Sequence, residues 1–180
     1  MRINTATITR LRDALLQSGR RPSLVVSPAY ETLARSGLLG PEEVAAVERI
    51  DPLAETMYLM MTVDGTIAES EKDAIRGAVR GLADNLIRSG TMNVMLESFA
   101  AKLKAHGRDA RLQEIADSLS EDPQEAEGAF SLAAAIALAD DAIHDKENEF
   151  INQLADWFGI SDTRANQILD ELARDQEAGN

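Results

Sequence analysis

Apolar residues recur along the chain mostly at three- and four-residue intervals, the spacing of one face of a helix. Ile8, Leu11 and Leu15 mark a first helix, and Arg21-Pro22 then breaks the pattern, so residues 20–28 read as an irregular connector. A short helix is expected over 28–36, punctuated by Gly37 and Gly40. Pro41 followed by Glu42-Glu43 opens the next, because proline suits the first turn and acids suit the positive end of the helix dipole. Asp51-Pro52 predicts another start, and residues 57–63 are apolar nearly all round, which places that helix at the centre. Ile75, Val79 and Leu82 predict a helix over 69–89 closed by Gly90. Met92, Met95, Phe99 and Leu103 predict one closed by Gly107, and Leu112, Ile115, Ala116 and Leu119 predict a third. Pro123 opens a helix to about Ala139. Residues 145–158 form one with Ile151, Leu154 and Phe158 inward, ended by Gly159. Ser161 caps the last, which carries Ala165, Ile168, Leu169 and Leu172. The only β-like run, Leu24-Val25-Val26, is too short to anchor a sheet. The fold class is therefore all-α, a bundle of about seven helices plus an N-terminal helical arm.

Small side chains over Ala133–Ala139 let neighbouring helices approach closely, so this stretch is also expected at the centre. Met57, Met60 and Met61 read as core filler. Trp157 and Phe158 read as core, and His106, beside Gly107, as a helix-terminal residue facing the last carbonyls.

A shift of 76 residues aligns two segments, Val63–Glu71 and Ala139–Glu147. Asp64 then matches Asp140, Ile67 matches Ile143, Glu71 matches Glu147 and Ile75 matches Ile151. Each segment joins an all-apolar helix to an amphipathic one, so each half presents D-x-x-I-x-x-x-E at a helix–loop–helix corner. The first copy resembles the back of a calcium-binding EF-hand loop. The front of such a loop would need oxygen ligands where Met60 and Thr62 stand in one copy, and Ile136 and Leu138 in the other. Asp141 also replaces the loop glycine in the second copy, so neither corner is an EF-hand.

Composition narrows the chemistry. The 180 residues include no cysteine, which excludes disulfides, thiolate zinc sites and a cysteine nucleophile. No serine lies in a G-x-S-x-G elbow, and the glycines at 37 and 40 lack the Lys and Ser/Thr of a phosphate-binding loop. The net charge of −13 argues against duplex nucleic acid as a partner. Residues 1–40 hold Arg2, Arg10, Arg12, Arg20, Arg21 and Arg35 against Asp13 and Glu31, a net of +4, which leaves −17 on the rest. A basic arm on an acidic body is the pattern of internal docking, or of contact with an acidic protein or membrane surface. No apolar run approaches the ~20 residues of a membrane span, and the N-terminus has no signal-peptide core, so a soluble cytoplasmic protein is expected.

The paired segments VDGTIAESE and ADDAIHDKE, the latter followed by FINQLADWFGIS, resemble the TerB family of tellurite-resistance proteins and the TerB-like domain of DnaJ-like membrane cochaperones. The resemblance covers roughly residues 50–175. It divides the chain into a basic N-terminal helical extension, 1–45, and a TerB-like domain, 46–180, with related halves at 52–90 and 128–175. It implies two related all-helical halves and an acidic cluster associated with divalent metals. By position that cluster is Asp64 and Glu71 from the first corner, and Asp140 and Glu147 from the second, with Asp141 and His144 as further potential ligands. Two features depart from the family pattern. Asp141 stands where glycine is usual, and the residues capping the following helices are Ala68 and His144 where Ser is usual.

If the two corners meet, four carboxylates within ~4–6 Å repel by several kcal/mol at intermediate dielectric, and a cation must compensate. Oxygen donors favour Ca²⁺, Mg²⁺ or Mn²⁺, whereas a histidine ligand would shift the preference towards Mn²⁺ or Zn²⁺. The blander reading makes these residues turn formers and helix-dipole partners, with Ile67 and Ile143 as core plugs. Three functions follow. The first is a non-enzymatic, cation-binding protein of stress or tellurite resistance, working with other proteins in a larger assembly, a membrane-associated stress complex being one form of it, or as a homo-oligomer. The second is a metal-free interaction module using the basic arm, and the third is metal-assisted hydrolysis, for which no general base or nucleophile can be named.

Overall fold

In the computed structural model, residues 4–17, 28–65, 67–138 and 145–178 are described. They form helices α1 (Thr5–Gln17), α2 (Pro28–Arg35), α3 (Pro41–Met61), α4 (Glu69–Leu82), α5 (Ser89–His106), α6 (Arg108–Leu119), α7 (Pro123–Ala137), α8 (Asp145–Trp157) and α9 (Asp162–Ala178). No strand occurs among the described residues. The expected connector at 20–28 lies largely outside them, as do Asp140, Asp141, Ile143 and His144.

The core is built on α3 and α7, which pack against each other more extensively than any other pair. From Leu53 to Met61 every residue of α3 is buried, and in α7 so is every residue from Gly128 to Ala137. Large Met57, Leu59 and Met60 side chains on one helix and the alanines at 133–135 and 137 on the other are almost wholly excluded from water. The 76-residue repeat is carried into three dimensions. Helix α3 ends at Met61 and α7 at Ala137, while α4 begins at Glu69 and α8 at Asp145, both pairs separated by that shift. The halves are thus α3–α4–α5 and α7–α8–α9, with α6 between them and packed on both.

Two boundaries and one burial differ from expectation. The Asp51-Pro52 step does not separate two helices, because α3 runs through it with Pro52 inside. An interior proline costs about 3 kcal/mol through its lost N–H. Burial of the whole stretch after it offsets that cost, and the Thr56 hydroxyl donates to the Pro52 carbonyl at 2.8 Å. Helix α4 stops at Leu82 rather than near Gly90, which lies inside α5. Asp84 and Asn85 turn the chain with φ of 48° and 63°, a left-handed conformation these two types tolerate better than most, and Ile87 then drops into the core. Trp157, expected in the core, is 40% exposed. The turn at Gly159 (φ 65°) draws Phe158 and Ile160 onto the core and leaves Trp157 at the rim. Met57, Met60 and Met61 are buried as expected, and His106 is the exposed last residue of α5.

The N-terminal helix is docked. Helix α1 packs on α4, α7 and α9, burying Ile8, Leu11 and Leu15. Arg10 reaches Asp175 at 3.1 Å, and the Asn4 amide donates to the Asp175 carbonyl at 2.8 Å. Arg12 pairs with Asp13 and lies 3.9 Å from Asp84. The fit is tight at Gly81, where a Cβ would sit 2.6 Å from the Ile8 Cγ2 methyl.

Two ionic groups inside the bundle fix neighbouring helices. Glu43, on the first turn of α3 and only 6% exposed, caps α5 in place of the side chain of Arg88. It accepts the Arg88 backbone N–H at 3.0 Å, the Arg88 guanidinium at 2.8 Å and the Thr91 hydroxyl at 2.6 Å. Burial pushes the Glu43 carboxyl up, but the donors from Arg88 and Thr91 outweigh it and hold its pKa below the ordinary value. In the second group Arg111 of α6 grips Glu55 of α3 with two bonds, 2.7 and 3.0 Å. Lys102 of α5 stands 3.3 Å from Glu55 and 3.5 Å from Asp51, and the Tyr30 hydroxyl of α2 donates to Asp51. Glu114 pairs with Arg111 from the exposed side, so three anions meet two cations there. Burial still raises Asp51 above its usual range, with Lys102 and Tyr30 opposing.

Two outcomes follow from these contacts. Gly81→Val should lower unfolding stability by about 1–3 kcal/mol through overpacking, and the added Ile8→Ala should lose less than the sum of the two singles in chemical denaturation. Glu43→Gln should cost about 1.5–3 kcal/mol at pH 7. A depressed folded pKa stabilises above the unfolded value and is lost as pH falls through the folded one. The gap between wild type and Glu43→Gln should therefore close on acidification below the ordinary glutamate range, as read by denaturant midpoints across pH.

Candidate metal centre at the acidic corners

The first corner begins where α3 runs out of partners for its last carbonyls. The Thr62 hydroxyl donates to the Tyr58 and Leu59 carbonyls at 3.1 and 3.0 Å, which ends the helix. Gly65 (φ 108°) turns the chain, and its N–H donates to the Thr62 carbonyl at 3.0 Å. Asp64 stands on this turn, exposed. Ile67 packs against the core and anchors the loop. Ala68 is the N-cap of α4 as expected, and alanine offers no acceptor for the helix's first N–H groups. Glu71 supplies the other half of a cap, its Oε2 accepting the Ala68 N–H at 2.5 Å.

Arg108, the first residue of α6, lies beneath this corner. Its guanidinium donates to the Thr62 carbonyl at 2.8 Å and its Cζ sits 5.4 Å from the centre of the Phe150 ring of α8. A cation at the end of α3 answers the negative end of that helix dipole. Burial lowers the Arg108 pKa, with Asp109 opposing. Arg108 thus ties the end of α3 to α8, the helix that follows the second corner.

The second corner is represented in the described residues by the start of α8. Asp145 is exposed there and Glu147 is half-buried in the first turn. Lys146, between them, places its Nζ 3.5 Å from Asp64 Oδ1. The start of α8 therefore reaches the first corner. Of the candidate ligands, Asp64 and Glu71 share one corner, and Glu147 follows the lysine that touches it. Asp140, Asp141 and His144 lie outside the described residues. Among the described residues no three Asp, Glu or His side chains gather closely enough to enclose an ion.

The donors nevertheless have the right chemistry for a hard cation. They are carboxylate oxygens with no thiolate, and Asp64 has a positive ammonium as its neighbour. A calcium-like ion takes 6–8 oxygens, so Asp64, Glu71 and Glu147 would form part of a shell completed by backbone, water or the residues at 140–144. The buried ions are a different matter. Glu55, Asp51, Lys102 and Arg111 satisfy one another, and the gap near them, lined by Ala54, Ile75, Val79, Met92, Met95 and Phe99, has no room for a water molecule.

Sequence reasoning passed over Lys146 and Arg108. One signal was present: the repeat puts Ser70 where the second half has Lys146.

No helix among the described residues is long and apolar enough to cross a membrane. No curated protein and no solved structure matches the chain. The family model described as tellurite resistance protein TerB matches residues 51–170, a span that takes in both acidic corners and most of both halves of the repeat. With two thirds of its length matched and its helices repeating as the sequence does, the chain belongs to the TerB family.

Proposed function

We propose that this TerB-family protein binds a hard divalent cation, Ca²⁺, Mg²⁺ or Mn²⁺ in preference to Zn²⁺, between its two acidic corners. Asp64, Glu71, Asp140 and Glu147 would be the ligands, with Asp141 and His144 as further donors. The role proposed is binding rather than catalysis, in tellurite resistance or a broader stress response in the cytoplasm, within a larger protein assembly.

The observation that carries this reading is the approach of Lys146 to Asp64 at 3.5 Å. It supports the convergence of the two corners that a shared site requires. Glu71 qualifies the ligand set, since one of its oxygens is engaged with the Ala68 N–H. An ion would have to use the other. The alternative reading, a metal-free module recognising a partner through the basic arm, has less support. The apolar face of α1 is buried against the bundle, and Arg10 and Arg12 already meet Asp175, Asp13 and Asp84. Arg2, Arg20 and Arg21 lie outside the described residues.

Thermal unfolding of metal-stripped protein tests the proposal. An ion held only by the native state adds RT ln(1 + [L]/Kd), about 2.7 kcal/mol at a hundredfold excess over Kd. For a chain of this size that is a rise of roughly 5–10 °C in Tm. The rise should appear with one of the hard ions and disappear in the Asp64→Asn/Asp140→Asn double variant. No rise with any ion would overturn the cation reading in favour of the interaction module.

A further inference from the structure

We infer that Lys146 is the built-in counter-cation of the first acidic corner, seated on Asp64 in the cation-free protein and displaced when a divalent ion binds. The inference rests on the cation reading above and adds to it how the site is kept when empty.

Lys146 is the second residue of α8. A helix's first turn is the positive end of its dipole, and a cation there is unfavourable. The corresponding residue of α4 is the neutral Ser70. The lysine therefore belongs to the second half alone, at a position its own helix does not favour. It finds its compensation across the repeat, 3.5 Å from Asp64 Oδ1.

The other cations of this region are occupied. Lys72 pairs with Glu69 at 3.2 Å, Arg76 with Glu69 at 2.8 Å and Asp73 at 2.7 Å, and Arg108 donates to the Thr62 carbonyl. Among the described residues Lys146 is the ion-pair partner of Asp64.

Side-chain exposures of 65% for Lys146 and 58% for Asp64 make the pair weak and easily exchanged. Weakness is what a displaceable counter-ion requires. A divalent ion ligated by Asp64 would stand within a few ångströms of the ammonium and repel it. The lysine swings into solvent, which its four-carbon stem allows without moving α8. One positive charge leaves as two arrive, and the corner keeps a cation beside Asp64 in both states.

The test uses the full chain, stripped of metal, at low ionic strength. Wild type, Lys146→Met and Lys146→Gln are titrated calorimetrically with Ca²⁺, Mg²⁺ and Mn²⁺. Amine labelling of Lys146 is followed by mass spectrometry with and without the bound ion. With its competitor removed, each lysine variant should bind the ion about three- to tenfold more tightly. Labelling of Lys146 in wild type should speed up on saturation with the ion, and Asp64→Asn should show the faster labelling without any ion. If wild type binds an ion but the variants bind it equally or more weakly, or if labelling does not respond, the counter-cation role is overturned and the cation site stands. If wild type binds none of the three ions, the site itself is overturned, and the inference with it.

Discussion

Everything in this fold depends on the packing of α3 against α7. Neither helix has a polar face in its second half, so each must be surrounded, and each finds in the other the partner that fits it. Alanines at 133–135 and 137 bring the backbones close, and Met57, Leu59 and Met60 fill the space on the facing helix and around it. Dense interiors tolerate little change of volume. That pair fixes where each central helix ends, and the acidic turns begin at those ends. The first corner is thus placed by the most constrained part of the molecule, with Asp64 exposed on its turn and Val63 and Ile67 packed against the core on either side of it.

Charge is handled in two ways. Inside, two groups of anions meet cations: Glu43 meets Arg88, and Glu55 with Asp51 meets Arg111 with Lys102. Such pairs register one helix against the next, and losing one partner would leave a buried charge uncompensated. Outside, the body is left strongly acidic, and the match is partial. The basic N-terminal helix offsets some of the excess by lying along α4 and α9, with Arg10 on Asp175. At the first corner, among the described residues, a long, exposed lysine stands against Asp64.

Much of the architecture was legible because helices write their period into the chain. The apolar spacing, Pro41 and Pro123 at helix starts, Gly107 and Gly159 at their ends, and the 76-residue shift all reappear in the structure. The misreadings have physical causes. Pro52 is a local stop signal overridden by burial of the helix that contains it. The end of α4 depends on Asp84 and Asn85 taking a conformation usually assigned to glycine. The internal ion pairs join residues 45 to 56 positions apart, and no local pattern reports them. Of the candidate site, the sequence placed Asp64 and Glu71 on one corner. It could not reveal that Lys146 crosses from the other half, because that contact exists only after α3 and α7 have packed.

The central functional claim is that two corners of one repeat make a single cation site. Amide NMR spectra of the full chain during substoichiometric addition of Mn²⁺, whose unpaired electrons broaden nearby signals, test it most directly. The account predicts simultaneous broadening at residues 62–71 and 139–147, with the rest of the acidic surface little affected. Broadening confined to one corner, or scattered over the exposed acids of α6, α8 and α9 without preference for either corner, would contradict it.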